Sequence, residues 1–198
     1  MALTRVLEAL EAHGLLLESD PWLPTVASLV AGGPVKGSWW GHPEGRAIFA
    51  VSRSLAIHPD AVSTRLVSGK ITWVHRRLWP ALLGAARSRE SWQTRGLDRN
   101  ARAILKRVTQ AGTLRSDRDR LDSKSCLTLE RRLLVHGGTL HTERGAHARV
   151  LESWDRWALR SGITGRRVSA ARARDALDRA LGAIRERYGG KGVLPWEV

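Results

Sequence analysis

Apolar residues recur at helical spacing through the N-terminal part of the chain. The i, i+3, i+4, i+7 pattern over residues 3–10 predicts a short amphipathic helix that ends at His13-Gly14. The same pattern over residues 23–30 predicts a second helix, stopped by the glycines that follow it. His42-Pro43 opens a third helix and His58-Pro59 closes it, because proline suits a first turn and disfavours helix in the residue before it.

The spacing then changes to the period of a strand. Residues 64–67 and 71–74 flank Ser68-Gly69-Lys70, which predicts a β-hairpin with glycine in its turn. A helix over about 78–92 follows the hairpin. Three helices followed by a hairpin are the order of elements typical of a winged helix.

A similar order recurs further along the chain. Asp98 or Asn100 can cap a helix that ends at Gly112, and residues 113–115 predict a short strand. A second, polar helix is expected to begin near Asp117.

The second run also ends in a helix and a hairpin. Asp122 or Ser123 can cap the helix, and residues 139–142 and 147–151 flank Glu143-Arg144-Gly145 as the strands of a wing. In a winged helix the third helix enters the major groove and the wing tip lies near the minor groove or the backbone.

The fold class is therefore predicted to be mainly α with small β-hairpins, an α+β fold. Two tandem winged-helix-like units occupy residues 1–95 and 96–162, and a packing helix and tail occupy residues 163–198. The small residues of this last helix, capped by Ser169, suit close packing as a clasp within the chain or as the seam of a homodimer. The tail at 193–196 is expected to dock on the body.

The charge of the chain is strongly basic and unevenly distributed. The 198 residues include 33 Lys and Arg against 19 Asp and Glu, a formal net charge of +14. Residues 1–85 hold 8 cations and 6 acids, whereas residues 86–198 hold 25 and 13. This balance favours a polyanionic partner or an anionic surface for the basic C-terminal half, without identifying it. Together with the winged-helix order, it predicts nucleic acid, and specifically duplex DNA, as the partner.

Cysteine content and the N-terminal sequence exclude several other classes. Cys126 is the single cysteine, which excludes an internal disulfide framework and a cysteine-based zinc site. Acids stand where a signal peptide has its apolar core, and no window approaches a membrane span. We expect a cytoplasmic protein with no membrane partner, no metal and no cofactor.

Residues 37–80 concentrate aromatic and basic side chains, with four of the nine Trp and three His. Trp beside Arg can stack on bases and neutralise phosphate, or it can form a core with polar handles. We expect Trp73 and Trp79 to fill the core and Trp40 to be the exposed member of the Trp39-Trp40 pair. The predicted nucleic-acid contacts are Lys70, Arg76, Arg77, Lys124, Thr128, Arg131, Arg132, Arg144 and Trp40.

Three segments resemble a recurring group of bacterial proteins: GSWWGHP at 37–43, LVSGKITWVHRRLWPAL at 66–82 and HTERGAH at 141–147. This resemblance names residues and implies no reaction, and the segment at about 95–132 is an insertion relative to that group. A fainter likeness to AlkZ-like DNA glycosylases implies tandem winged helices. The Gln-x-Gln element of those enzymes is missing, which puts their chemistry in doubt here.

The resembling segments contain four histidines that are candidates for proton transfer at a phosphate or a base: His42, His75, His141 and His147. Their spacing is unlike that of metal ligands. Three functions stay open. The first is nucleic-acid binding linked to DNA repair or transcription. The second is a nucleic-acid-processing enzyme, a glycosylase, lyase or nuclease, whose histidines would converge in one cleft. The third is an interaction module for an acidic protein.

Overall fold

The structure, a computed structural model, describes residues 2–141, 147–163 and 167–197. These residues form α-helices and two small antiparallel sheets, and the predicted α+β class is confirmed. The N-terminal half contains α1 (Ala2–His13), β1 (Leu15–Leu17), α2 (Val26–Ala31), α3 (Gly45–Ala56), β2 (Ala61–Arg65), β3 (Ile71–His75), α4 (Trp79–Ala86) and α5 (Ser91–Thr94). The C-terminal half contains α6 (Arg99–Ala111), β4 (Thr113–Arg115), α7 (Ser123–Arg131), β5 (His136–His141), β6 (His147–Glu152), α8 (Trp154–Arg160) and α9 (Ala170–Tyr188). None of the helices in these ranges could cross a membrane, being too short or too polar.

The first sheet has the strand order β1-β3-β2, with both neighbouring pairs antiparallel. The predicted hairpin is confirmed, although β2 begins at Ala61, three residues before the predicted start. A short 3-10 turn at Val67–Gly69 joins the strands, and Ser68 and Gly69 adopt positive φ there. The elements from α1 to β3 are called the first unit below.

The second sheet repeats this arrangement with the order β4-β6-β5. Asp98 caps α6 by accepting a hydrogen bond from the Ala101 backbone N–H, and β4 covers residues 113–115, as predicted. The polar helix predicted near Asp117 is wrong, because this segment forms turns. The elements from α6 to β6 are called the second unit.

Acidic side chains hold the segment after β4 in its turns. The Asp119 carboxylate accepts hydrogen bonds from the Arg115 backbone N–H at 2.8 Å and from the Arg107 guanidinium at 2.6 Å. Asp117 accepts two further hydrogen bonds from the Arg115 side chain. These side-chain bonds to backbone and guanidinium groups compete with helix formation, which explains why the helix is missing.

The helix predicted over 78–92 is divided into α4 and α5. Arg89 adopts a φ of +54° between them, a left-handed conformation that a helix cannot contain. Glu90 then starts α5 through a capping box with Gln93.

The largest hydrophobic cluster joins all three predicted segments. It includes Leu15 of β1, Leu82 of α4, Trp157 of α8 and Leu177 of α9. The apolar side of α9 packs on α4, where a Cβ at Gly84 would lie 2.8 Å from the Ala173 Cβ. The predicted clasp within the chain is therefore confirmed, and this side of α9 is already covered. The tail docks too, because Leu194 belongs to the same cluster and is buried.

Candidate nucleic-acid interface

The tryptophans divide into buried and exposed groups. Trp73 and Trp79 are 4% and 6% exposed, which confirms their predicted place in the core. Trp79 donates its indole N–H to the Val74 carbonyl at 3.0 Å. Trp40 is 65% exposed whereas Trp39 is half-buried, as predicted for this pair. Trp22 is 72% exposed in the segment before α2.

A buried carboxylate fixes α3 against the first sheet. Glu18 accepts hydrogen bonds of 2.6 Å from the Trp73 indole N–H and from the Ser52 hydroxyl. Since Ser52 lies on α3 and Trp73 on β3, the carboxylate joins the helix to the sheet. Both donors are neutral, so Glu18 keeps its lone pairs satisfied without a cation.

Trp39 and Trp40 lie in a short 3-10 turn, Trp39–Gly41, directly before α3. Their indoles stack with centroids 4.1 Å apart and planes inclined by 23°. Trp40 also contacts Phe49 of α3, at 5.5 Å and 44°. Trp39, Trp40 and Phe49 are called the aromatic stack below.

The turn that carries the stack is tightly packed on its helix. A Cβ at Gly45 would lie 3.0 Å from the Trp39 carbonyl oxygen and 3.2 Å from that of Trp40, so glycine permits this approach. Trp39 also packs against the small buried cluster of Ala27, Val35 and Ile48. The exposed Trp40 therefore rests on an anchored neighbour.

One cation lies against the aromatic stack, and two more are near it in the sequence. Arg53 lies over the Phe49 ring with its guanidinium carbon 5.9 Å from the centroid, and Lys36 and Arg46 are exposed nearby in the sequence. In the described ranges none of these three cations forms an ion pair. The acid at the start of α3 is Glu44.

The candidate histidines lie on different elements. His42 is in the turn before α3, His75 ends β3, and His147 begins β6. The side chain of His141 lies outside the described residues. In the parts of the chain that the structure describes, no group of three or more His, Cys, Asp or Glu side chains is placed to hold a metal ion.

Two of the candidate histidines, His42 and His75, accept hydrogen bonds from the backbone two residues further on. His42 Nδ1 accepts the Glu44 backbone N–H at 3.1 Å, and His75 Nδ1 accepts that of Arg77 at 3.4 Å. Burial lowers the pKa of His75, and the nearby positive charge of Arg77 lowers it further. The negative charge of Asp60 opposes this shift without cancelling it. A neutral ring with an unprotonated Nδ1 agrees with this acceptor role. These contacts explain the two histidines as turn-forming residues.

Several of the predicted phosphate contacts already have partners inside the molecule. Lys70 and Arg76 form ion pairs with Asp20 at 2.7 Å and with Asp60 at 3.0 Å. The Arg77 guanidinium donates to the Ala12 carbonyl at 3.0 Å. These three cations remain exposed at the surface.

Helix α7 supplies four further predicted contacts, of which three share one side. Lys124 and Arg131 are exposed and Thr128 is half-buried, and their spacing puts them on one helical stripe. The Arg131 side chain lies over Gly69 of the first unit, within 3.1 Å of the position a Cβ would take there. Arg132 points elsewhere, because its guanidinium donates to two carbonyls at the end of α5. Arg144 lies outside the described residues.

The C-terminal end of α7 contacts both the first unit and α5. The Glu130 carboxylate accepts the Nε–H of Arg65, on β2 of the first unit, at 3.0 Å. Gln93 of α5 donates its side-chain amide at 3.1 Å to the carbonyl of Arg132, the residue after α7. The amide of Gln93 is fully buried, and its oxygen accepts the Ser88 hydroxyl at 2.8 Å. The predicted recognition helix is therefore fixed to the first unit at one end and exposed at the other.

Five exposed cations on the second unit were missing from the predicted contacts. Sequence spacing could have found those of α6, because they recur at i, i+3 and i+7, opposite the buried Ala101, Ile104 and Val108. Two more lie in the turns after β4, and Lys124, which was predicted, lies at the start of α7. The six are called the basic surface: Arg99, Arg102, Lys106, Arg118, Arg120 and Lys124.

None of these six cations is paired with an acid in residues 2–141, 147–163 and 167–197. An open groove of about 590 Å³ separates α6 from the turns after β4. Its lining includes the cations Arg107 and Arg120 and the acids Asp119 and Asp122. Arg120 is the member of the basic surface that lines this groove, and the other five cations lie outside its lining.

A buried charged group at the base of the second hairpin also escaped the sequence analysis. The Glu152 carboxylate is 2.8 Å from the Arg160 guanidinium and 3.7 Å from His136 Nδ1. Burial opposes ionisation of Glu152, but the hydrogen bonds and charges of His136 and Arg160 outweigh it and lower its pKa to about 2. The His136 ring packs against Trp154 and Trp157.

Cys126 is buried in the core of the second unit, as expected, and burial raises the pKa of its thiol. The chain was also compared with known proteins. No family model, curated protein or solved structure matches it.

Proposed function

We propose that this protein binds nucleic acid, with duplex DNA as the partner of the basic surface. The observation that carries the proposal is the set of six exposed cations without acidic partners on α6, the turns after β4 and the start of α7. Unpaired like charges repel one another in the free protein, and a polyanion removes that repulsion. Displacement of counterions from the polyanion adds a salt-dependent gain.

The order of elements supports a winged-helix-like arrangement of both units. In the first unit, helix, strand, two helices and two strands follow one another, and the strand order is β1-β3-β2. The second unit has the same order without a counterpart of α2. In this arrangement α7 is the helix that meets DNA, through the stripe of Lys124, Thr128 and Arg131, beside the basic surface.

Salt dependence tests this proposal directly. A labelled DNA duplex is titrated with protein at several salt concentrations, and affinity is read from fluorescence anisotropy. Phosphate binding predicts a linear fall of log affinity with log salt, with a slope of about −0.9 for each phosphate contact. The double variant Arg102→Ala/Lys106→Ala should flatten the slope by about 1.8.

A matched control separates the basic surface from net charge. Arg174→Ala/Arg179→Ala removes the same charge from α9, where both arginines already form ion pairs, with Glu90 and Asp175. This variant should keep the slope of the unmodified protein. Equal flattening by both double variants would show that net charge alone drives binding, and no binding at low salt would refute the proposal.

A further inference from the structure

The geometry points to the aromatic stack as a binding site for an unpaired base of a DNA strand. This inference rests on the proposed function, since it names a second kind of contact with the same class of partner. It concerns the first unit, whereas the basic surface lies on the second. The two contacts can therefore be tested separately.

Trp40 is the exposed ring of the aromatic stack. An indole that is 65% exposed keeps most of its apolar surface in water, although its neighbour Trp39 is half-buried. Trp40 stacks on Trp39 with planes only 23° apart. The exposed indole of Trp40 is therefore a flat aromatic surface supported by the partly buried Trp39. A planar partner can add to such a stack and remove apolar surface from water.

The aromatic stack is preorganised. The 3-10 turn of Trp39–Gly41 packs on the first residue of α3, and the His42 ring closes the turn by accepting the Glu44 backbone N–H. Phe49 supports Trp40 from the helix. Because the ring positions are set before binding, little ordering is needed when a ligand stacks.

The cations near the stack favour a planar partner that also carries negative charge. Arg53 lies over the Phe49 ring, and Lys36 and Arg46 are exposed and close in the sequence to Trp39 and Trp40. None of the three forms an ion pair in the described ranges, and Glu44 is the acid at the N-cap of α3. A base carries a π-face and a phosphate on the same nucleotide, so it satisfies the aromatic and the cationic groups together. A paired base is already stacked on both faces, and an unpaired base is not.

The experiment measures binding of three labelled DNA probes of equal length at one salt concentration. They are a single strand, a single strand with abasic central positions, and a fully paired duplex. Trp40→Ala should weaken single-strand binding by about five- to a hundredfold and leave duplex binding and the salt slope unchanged. The unmodified protein should lose a similar factor on the abasic strand, which keeps its phosphates.

Two further variants make the result specific. Trp40→Phe keeps an aromatic face and should recover most of the single-strand affinity. Trp22→Ala removes an indole of similar exposure that stacks on no other ring in the described structure, and it should bind like the unmodified protein. Circular dichroism confirms that each variant is folded.

The outcomes separate this inference from the proposed function. Salt-dependent DNA binding that is indifferent to Trp40→Ala and to abasic sites would overturn the inference and leave the proposed function intact. An equal loss with Trp22→Ala would overturn it as well. Failure of the unmodified protein to bind any probe at low salt would overturn both.

Discussion

The two units share an order of elements but satisfy their buried carboxylates in different ways. In the first unit, Glu18 accepts hydrogen bonds from neutral donors, including the indole of Trp73. In the second unit, Glu152 is held by the cation of Arg160 and by His136. A guanidinium adds its own charge to the hydrogen bonds that it donates, whereas an indole N–H or a hydroxyl does not. One topology can thus hold a buried carboxylate with neutral donors in one unit and with a cation in the other.

The units differ equally in how they complete their hydrophobic cores. The second unit has one cluster, contained within residues 97–151. The first unit has a cluster of its own, in which α1, α2 and α3 pack on Leu16 and Trp73 of the sheet. Other residues of the same sheet, including Leu15 and Val74, share a second cluster with α4, α8 and α9, which lie outside the unit. The first unit therefore depends on distant parts of the chain for part of its core.

The largest expected effect comes from breaking the shared cluster. Leu177 of α9 is fully buried, and Leu177→Ala should lower the free energy of unfolding by about 2–5 kcal/mol through lost burial and a cavity. Urea denaturation followed by Trp fluorescence measures the change. Leu159→Ala, at a position 84% exposed, is the matched control and should stay within about 0.5 kcal/mol. Similar losses in both variants would contradict the dependence of the fold on α9.

A smaller effect should follow from acidification, and it should originate in the second unit. The pKa of Glu152 is about 2 in the folded protein, below the 4.5 of the free side chain. The ionised carboxylate therefore contributes stability above about pH 4.5, and this contribution is lost as the pH falls towards about 2. Solvent screens part of this contribution, because the Arg160 side chain is largely exposed.

Unfolding free energies measured between pH 6 and pH 2 test this dependence. Glu152→Gln should be less stable at neutral pH and should lose less stability on acidification than the unmodified protein. Glu8→Gln removes a carboxylate from the exposed side of α1 and serves as the control. If Glu152→Gln and the unmodified protein lose stability in parallel, the charged group does not stabilise the second unit as described.

The smallest expected effect concerns the contact between the two units. A Cβ at Gly137 of β5 would lie 2.5 Å from the Glu130 carboxyl carbon, so Gly137→Ala displaces the carboxylate that holds Arg65. We expect a loss of about 1–3 kcal/mol, the range for overpacking, in urea or thermal unfolding. Gly138→Ala, on the next residue, meets no atom within 4 Å and should be nearly neutral. Equal effects at the two glycines would mean that strand flexibility, and not the carboxylate, decides the outcome.

Local patterns predicted much of the fold. The helical period identified α1, α3, α6 and α9, and the turn glycine identified the β2–β3 hairpin. The strand β1 was missed because its three consecutive leucines are all buried and show no alternation. The break between α4 and α5 depends on the positive φ of Arg89, and arginine gives no signal for that conformation.

The candidate site was harder to predict because it depends on tertiary contacts. Arg131 and Arg132 have the same charge and adjacent positions, yet the side chain of one lies over Gly69 and that of the other holds carbonyls of α5. The ring contacts of His136 could not be predicted, because its aromatic neighbours come from α8, a helix that the sequence pattern did not indicate. The exposure of Trp40 followed from its adjacency to Trp39 and could be predicted.

The packing of α9 on α4 also determines how late in translation the largest hydrophobic cluster can be completed. Leu194 and the buried leucines of α9 complete a cluster that begins at Leu15 and includes α4, which ends at Ala86. At a translation rate of roughly 5–20 residues per second, the segment between α4 and Leu194 takes about 5–20 s to emerge. During that interval the nascent chain exposes the apolar surface of α4 and of the first sheet that α9 will cover. Chaperone occupancy on the translating chain should therefore rise after α4 and fall once α9 has left the exit tunnel.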